Sequence, residues 1–157
     1  MSASTATLSA YCCKGLELTL LAPEVVRAWA DAEISRATTP AYPFIEISLA
    51  KTTAELISAL HTIEGDADDS LAGRWLLSRV ALLELTGVGD LATAIRKAMN
   101  VCRHCGLPDS LYYEFDGLDD ALYLARSGQY GSVERCRTDF LELLNEHAVP
   151  APRLSEA

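Results

Sequence analysis

The sequence predicts an all-α protein, a single-domain bundle of about seven or eight helices arranged as stacked αα-hairpins around a central buried helix at 71–85. Three observations carry this reading. Half of the 157 residues are hydrophobic and only 7% are aromatic, so the core is built from Leu, Ala, Ile and Val in a chain of ordinary globular composition. Apolar residues recur at three- and four-residue steps along most of the chain, the period of a helix. The run Leu71–Leu85, LAGRWLLSRVALLEL, is apolar on nearly every side, as expected of a helix enclosed by others. It is too short and too charged to span a bilayer.

A first helix is expected from Thr5 to about Thr19. Leu8, Tyr11, Cys12, Leu16 and Leu18 are available to the core, and Gly15 is a weak point. Residues 1–4 read as loose. Pro23 suits the first turn of a second helix, with Val25, Val26, Trp29, Ala30 and Ile34 at helical spacing and Thr38-Thr39-Pro40 as the stop. The segment Phe44–Ala50 alternates like a strand, yet no other segment supplies a partner strand, so helix is the reading taken. Thr52-Thr53-Ala54-Glu55 reads as a capping box opening a helix through Ile63, stopped by Gly65.

Asp69 or Ser70 is expected to cap the central helix, and Thr86-Gly87 to close it. Asp90 is expected to cap an amphipathic helix carrying Leu91, Ala94, Ile95, Ala98, Met99, Cys102 and Cys105 on one face. Gly106-Leu107-Pro108 supplies its stop. After Asp109–Asp116, read as a connecting segment, Leu118–Ala125 forms a short helix. Ser132 caps a last one through Leu144. Residues 1–149 make one helical domain, since no linker-like stretch divides them, and 150–157 form a loose C-terminal tail.

The net charge is −9, and it is uneven: residues 107–157 hold four basic against ten acidic side chains. Such a balance disfavours nucleic acid and anionic membranes as partners and favours basic proteins. No secretory signal or transmembrane run is visible. Five cysteines, an odd number, do not resemble a secreted disulfide framework, so a cytoplasmic location is expected.

Cys102-Arg103-His104-Cys105 is the most chemical-looking motif. A redox CxxC places its first thiolate at a helix N-terminus, where the dipole lowers its pKa. This pair falls at a helix C-terminus and on the apolar face. A zinc site needs further ligands, and the adjacent Cys12-Cys13 is poorly disposed to supply two of them. His61, His104 and His147 lie outside any recognisable catalytic pattern. No catalytic residue, metal ligand or cofactor is assigned.

The segment Asp109–Tyr123 holds five acidic residues and no basic one, interleaved with Tyr112, Tyr113, Phe115 and Tyr123. Aromatic anchors among carboxylates suit recognition of a basic protein surface. Tyr112, Tyr113, Glu114, Asp116, Asp119 and Asp120 are therefore the candidate partner-binding residues. The alternative is a connection whose aromatics plug the core. The basic strip Arg96, Lys97 and Arg103 is placed across the molecule from it.

Gly128-Gln129-Tyr130 with Val133 resembles the turn and second-helix start of a tetratricopeptide repeat. The resemblance covers about residues 118–144, and no copy lies 34 residues upstream, so an ordinary αα-hairpin is the reading taken. The expected function is a small acidic cytosolic protein-binding module, an immunity- or antitoxin-like inhibitor or an adaptor, with no catalysis of its own. The alternative is a thiol-redox or metal-binding protein using Cys102 and Cys105.

Overall fold

The computed structural model describes residues 4–154. Among these residues the protein is all-α, with eight helices and no strand. They are α1 (Thr5–Glu17), α2 (Pro23–Arg36), α3 (Tyr42–Leu49), α4 (Thr53–Leu60), α5 (Asp69–Val80), α6 (Val88–His104), α7 (Asp109–Arg126) and α8 (Val133–His147). The described chain falls into two compact units, residues 4–72 with 152–154 and residues 73–151, and the division lies inside α5.

In the first unit α1 packs on α4, and α3 packs on both α2 and α4. Ser4, expected to be loose, is the N-cap of α1, its hydroxyl accepting from the Thr7 amide at 3.1 Å; residues 1–3 lie outside the described residues. Gly15 is no simple weak point. A Cβ there would stand 2.6 Å from Leu21 Cδ1, so its bareness lets the chain after α1 fold back onto the helix. Residues 42–49 are helical, with Ile47 buried and Phe44 edge-on to the buried Trp29 at 5.3 Å between ring centroids.

Thr52 caps α4 by accepting from the Glu55 amide at 3.1 Å, and Glu55 reaches back to the Lys51 amide at 2.8 Å. The helix ends at Leu60, before the expected Ile63. Thr62 Oγ1 donates to the Ala59 carbonyl and Ser9 Oγ to that of Leu60. Side-chain donors thus take acceptors that a longer helix would use. The cap of α5 is Asp68, one residue before the expected position, its carboxylate accepting from the Leu71 amide at 3.0 Å.

The central helix also ends early, at Val80 and not at Leu85. From Leu71 to Val80 no residue is exposed, with Ala72, Trp75, Leu76, Leu77 and Val80 buried, whereas Leu82 is 76% exposed. The last turn tightens, the Leu82 amide donating to the Arg79 carbonyl and the Leu83 amide to that of Val80, both at 3.1 Å, and beyond it the chain meets Arg137 of α8. Its Nε donates to the Leu85 carbonyl at 2.8 Å and its Nη2 to that of Thr86 at 3.4 Å. The chain at 85–86 is therefore held by a tertiary guanidinium.

In the second unit α6 packs on α7 and α8, and α7 on α8. Asp90 is not the cap of α6: Gly87 is, and Asp90 reaches back from the first turn to accept from the Gly87 amide at 3.3 Å. The stop after α6 follows the expectation. Gly106 is left-handed at φ +63°, and the amide of the buried Leu107 donates to the Cys102 carbonyl at 3.0 Å. The expected connection at Asp109–Asp116 is instead the first half of α7. Leu111, Phe115, Leu118 and Leu122 follow steps of four and three, one continuous helical face, and Phe115 meets Phe140 of α8 at 5.8 Å between centroids.

Ser132 caps α8 by accepting from the Arg135 amide at 3.1 Å. After α8 the chain is tethered where a loose tail was expected. The Val149 amide donates to the Arg74 carbonyl at 3.1 Å, the Ala151 amide to Ser78 Oγ at 3.3 Å, and Leu154 is buried. Residues 155–157 lie outside the described residues. No helix among the described residues is long and apolar enough to cross a membrane.

Candidate functional site

The acidic-aromatic residues lie along α7, and the basic strip placed across the molecule is in fact its immediate neighbour on α6. Packing of α6 on α7 brings Arg96 Nε to 3.7 Å from Asp119 Oδ1 and sets the Arg103 guanidinium 4.4 Å from the centre of the Tyr112 ring. Two of the six candidates are therefore engaged inside the molecule, Asp119 by an ion pair and Tyr112 by a cation–π contact. Tyr112 is half-buried and also meets Tyr113 edge-on at 5.5 Å.

The remaining candidates divide by their place on the helix. Tyr113, Asp116 and Asp120, with Tyr123 added, fall three, seven and ten residues apart from the first, which is one face of a helix. Tyr113 is 66% exposed and Tyr123 69%; Asp120 is exposed and Asp116 half-buried. Glu114 is exposed on a different side. Tyr123 and Asp120 border a shallow cavity of about 160 Å³ shared with Arg96, Asp119 and Arg126. The arrangement is an acidic strip with a tyrosine near each end.

Cys102 and Cys105 close α6 and are both buried. Burial, and then the neighbouring Cys105, push the Cys102 thiol up from 9.0 to about 12. That is the opposite of the shift a reactive thiolate requires. Cys105 also fills the space that a side chain at Gly73 would occupy, 2.6 Å between Cβ positions. Here the cysteine is packing against the α5 backbone. Tyr130, the residue that marked the repeat-like turn, is 80% exposed.

A cluster that spacing did not single out lies in the first unit. Cys13 and Glu17 are one turn apart at the end of α1, and His61 is the C-cap of α4. The Cys13 thiol donates to Glu17 Oε1 at 3.5 Å, and its Sγ lies 3.6 Å from His61 Nε2. All three donor atoms lie within 4.8 Å of one another. Cys13 is buried, while Glu17 and His61 are exposed at the edge of a cavity of about 400 Å³. Burial, followed by the Glu17 carboxylate, pushes the Cys13 thiol up to about 12. The sequence offered half a signal, the Cys-x-x-x-Glu spacing on one helical face. The third member arrives through the packing of α4 on α1.

No protein-family model matches the chain, and no curated protein and no solved structure does so either.

Proposed function

We propose that the protein is a small acidic binding module of the cytosol, an inhibitor or adaptor of the immunity or antitoxin kind that acts without catalysis of its own. Its partner is a protein with a basic surface. The observation that carries this reading is the exposed face of α7, where Tyr113 and Tyr123 flank Asp116 and Asp120. Tyrosines supply contact area at little entropic cost, and carboxylates beside them steer a cationic partner and set register. The C-terminal third of the chain carries four basic against ten acidic residues, so the long-range field has the same sign as the local strip.

The test compares wild type with a Tyr113→Ala/Asp116→Asn/Asp120→Asn/Tyr123→Ala variant in affinity capture. The captured protein is then purified and titrated against both. The expected result is a basic partner whose binding weakens with salt and drops at least tenfold, about 1.4 kcal/mol, in the variant. Equal binding by the two forms removes the α7 face from the reading.

A further inference from the structure

We infer that Cys13, Glu17 and His61 form a binding site for a single divalent transition-metal ion of the zinc type, with a fourth coordination position open to the adjoining cavity. The site is separate from the α7 face and stands or falls without it. Zinc favours sulfur, imidazole nitrogen and carboxylate oxygen in tetrahedral array, with three protein ligands where one position is left for water or another small ligand. For Zn–S of about 2.3 Å and Zn–N and Zn–O of about 2.0–2.2 Å, tetrahedral geometry puts donor atoms roughly 3.3–3.6 Å apart. The Cys13–Glu17 and Cys13–His61 separations are 3.5 and 3.6 Å. Two of the three donor pairs therefore stand at coordination distances, and the third, Glu17 to His61, lies within 4.8 Å, a gap that side-chain rotation at two exposed positions closes without moving either helix.

Local structure supports the same assignment. Cys13 and Glu17 share one face of a regular helix, so their separation is set by backbone geometry. The His61 backbone is held at the end of α4, where its amide donates to the Ile57 carbonyl at 3.1 Å and Ser9 ties the preceding Leu60 carbonyl to α1 at 2.9 Å. The cavity of about 400 Å³ is lined by all three ligands together with Ser9 and Lys14, leaving room for a small fourth ligand. Lys14, the cation on this wall, lies 4.0 Å from Asp69.

A nucleophilic-cysteine reading fits less well. In that chemistry the histidine bridges thiol and acid, whereas here the sulfur makes both contacts and is the shared vertex. Coordination replaces the S–H bond by a sulfur–metal bond, and the displaced proton passes to buffer.

The experiment uses the full chain, reduced and stripped of metal, titrated with zinc chloride by calorimetry and with cobalt(II) by absorption. The expected result is one zinc per chain and a thiolate-to-cobalt charge-transfer band. His61→Ala and Glu17→Gln, both at exposed positions, weaken zinc binding by about 10- to 100-fold or more, since even changes outside the ligand set cost that much. The band is lost in Cys13→Ser and kept in a Cys102→Ala/Cys105→Ala variant. Absence of zinc binding, an unchanged affinity in His61→Ala, or a band that follows Cys102 and Cys105 overturns the assignment.

Discussion

Gly73 and Gly117 make a paired prediction in which the same substitution has opposite signs. Both glycines sit inside helices, α5 and α7, so replacement by alanine gains about 1 kcal/mol of helix propensity at either place. At Gly117 nothing lies within 4 Å of the new Cβ, and that gain stands alone. At Gly73 the new Cβ would lie 2.6 Å from Cys105 Cβ and 3.3 Å from both Cys105 Sγ and Leu107 Cδ1. Carbon atoms in contact prefer about 3.5–4.0 Å, so α5 and the end of α6 must separate by roughly 1 Å. Neither Cβ moves by changing rotamer, which puts the overpacking cost at the upper part of its usual range, about 2–3 kcal/mol.

Gly73→Ala should therefore lose about 1–2 kcal/mol net while Gly117→Ala gains about 1. At this chain length 1 kcal/mol is about 2–4 °C in Tm. Thermal and urea unfolding followed by far-ultraviolet circular dichroism reads both. In a Cys105→Gly background the Gly73→Ala penalty should shrink, because the opposing Cβ is gone. A Gly73→Ala protein as stable as wild type refutes the close approach.

Three further outcomes are expected. Ser132→Ala removes the hydroxyl that accepts the Arg135 amide and should cost about 1 kcal/mol in urea unfolding, with Ser132→Asp retaining most of it. Cys102 has its thiol pushed up from 9.0 to about 12 by burial, and its sign follows from linkage. Above pH 9 the unfolded chain releases this proton while the folded chain holds it, so stability falls as pH rises from about 9 toward 12; a Tm that is flat across that window would contradict the burial. Asp119→Asn, which breaks the pair between the half-buried Asp119 and the exposed Arg96 at 3.7 Å, should change stability by no more than about 1 kcal/mol. In the capture experiment it should weaken the partner less than Asp120→Asn does.

How much of the fold was legible depends on what ends each helix. Local chemistry announced the start of α4 through Thr52 and Glu55, the stop after α6 through Gly106 and Leu107, and the start of α8 through Ser132. Where the terminating partner comes from elsewhere in the chain, the pattern misleads. Leu82, Leu83 and Leu85 continue an apolar run, yet the helix has stopped at Val80, and Arg137, some fifty positions on, takes the Leu85 and Thr86 carbonyls. Ser9 does the same to Leu60 from a distance of fifty-one residues. No window on the sequence contains both partners. The half-missed α7 has another cause: Tyr112, Tyr113 and Gly117 are indifferent or poor helix formers, and the apolar steps Leu111, Phe115, Leu118 and Leu122 outweigh them because Phe115 and Leu122 are buried.

The same distinction separates the two candidate sites. The α7 strip was readable as composition, because acids and tyrosines lie together in sequence, but its internal bookkeeping was not. Only the packing of α6 beside α7 shows that Arg96 and Arg103 already occupy Asp119 and Tyr112, which moves the available face to Tyr113, Asp116, Asp120 and Tyr123. The Cys13 cluster runs the other way. Cys102-x-x-Cys105 drew attention because both sulfurs sit in one short motif, yet packing places them in the apolar interior. Cys13 gains its polar company from Glu17 one turn along and from His61 forty-eight residues away. A thiol beside a carboxylate and an imidazole at a cavity edge has a donor set suited to a metal; Cys105, packed against the α5 backbone at Gly73, occupies space that a side chain there would need. Measuring which thiols zinc protects thus tests the chemistry and the α1–α4 packing together, since His61 reaches Cys13 only if those two helices meet as described.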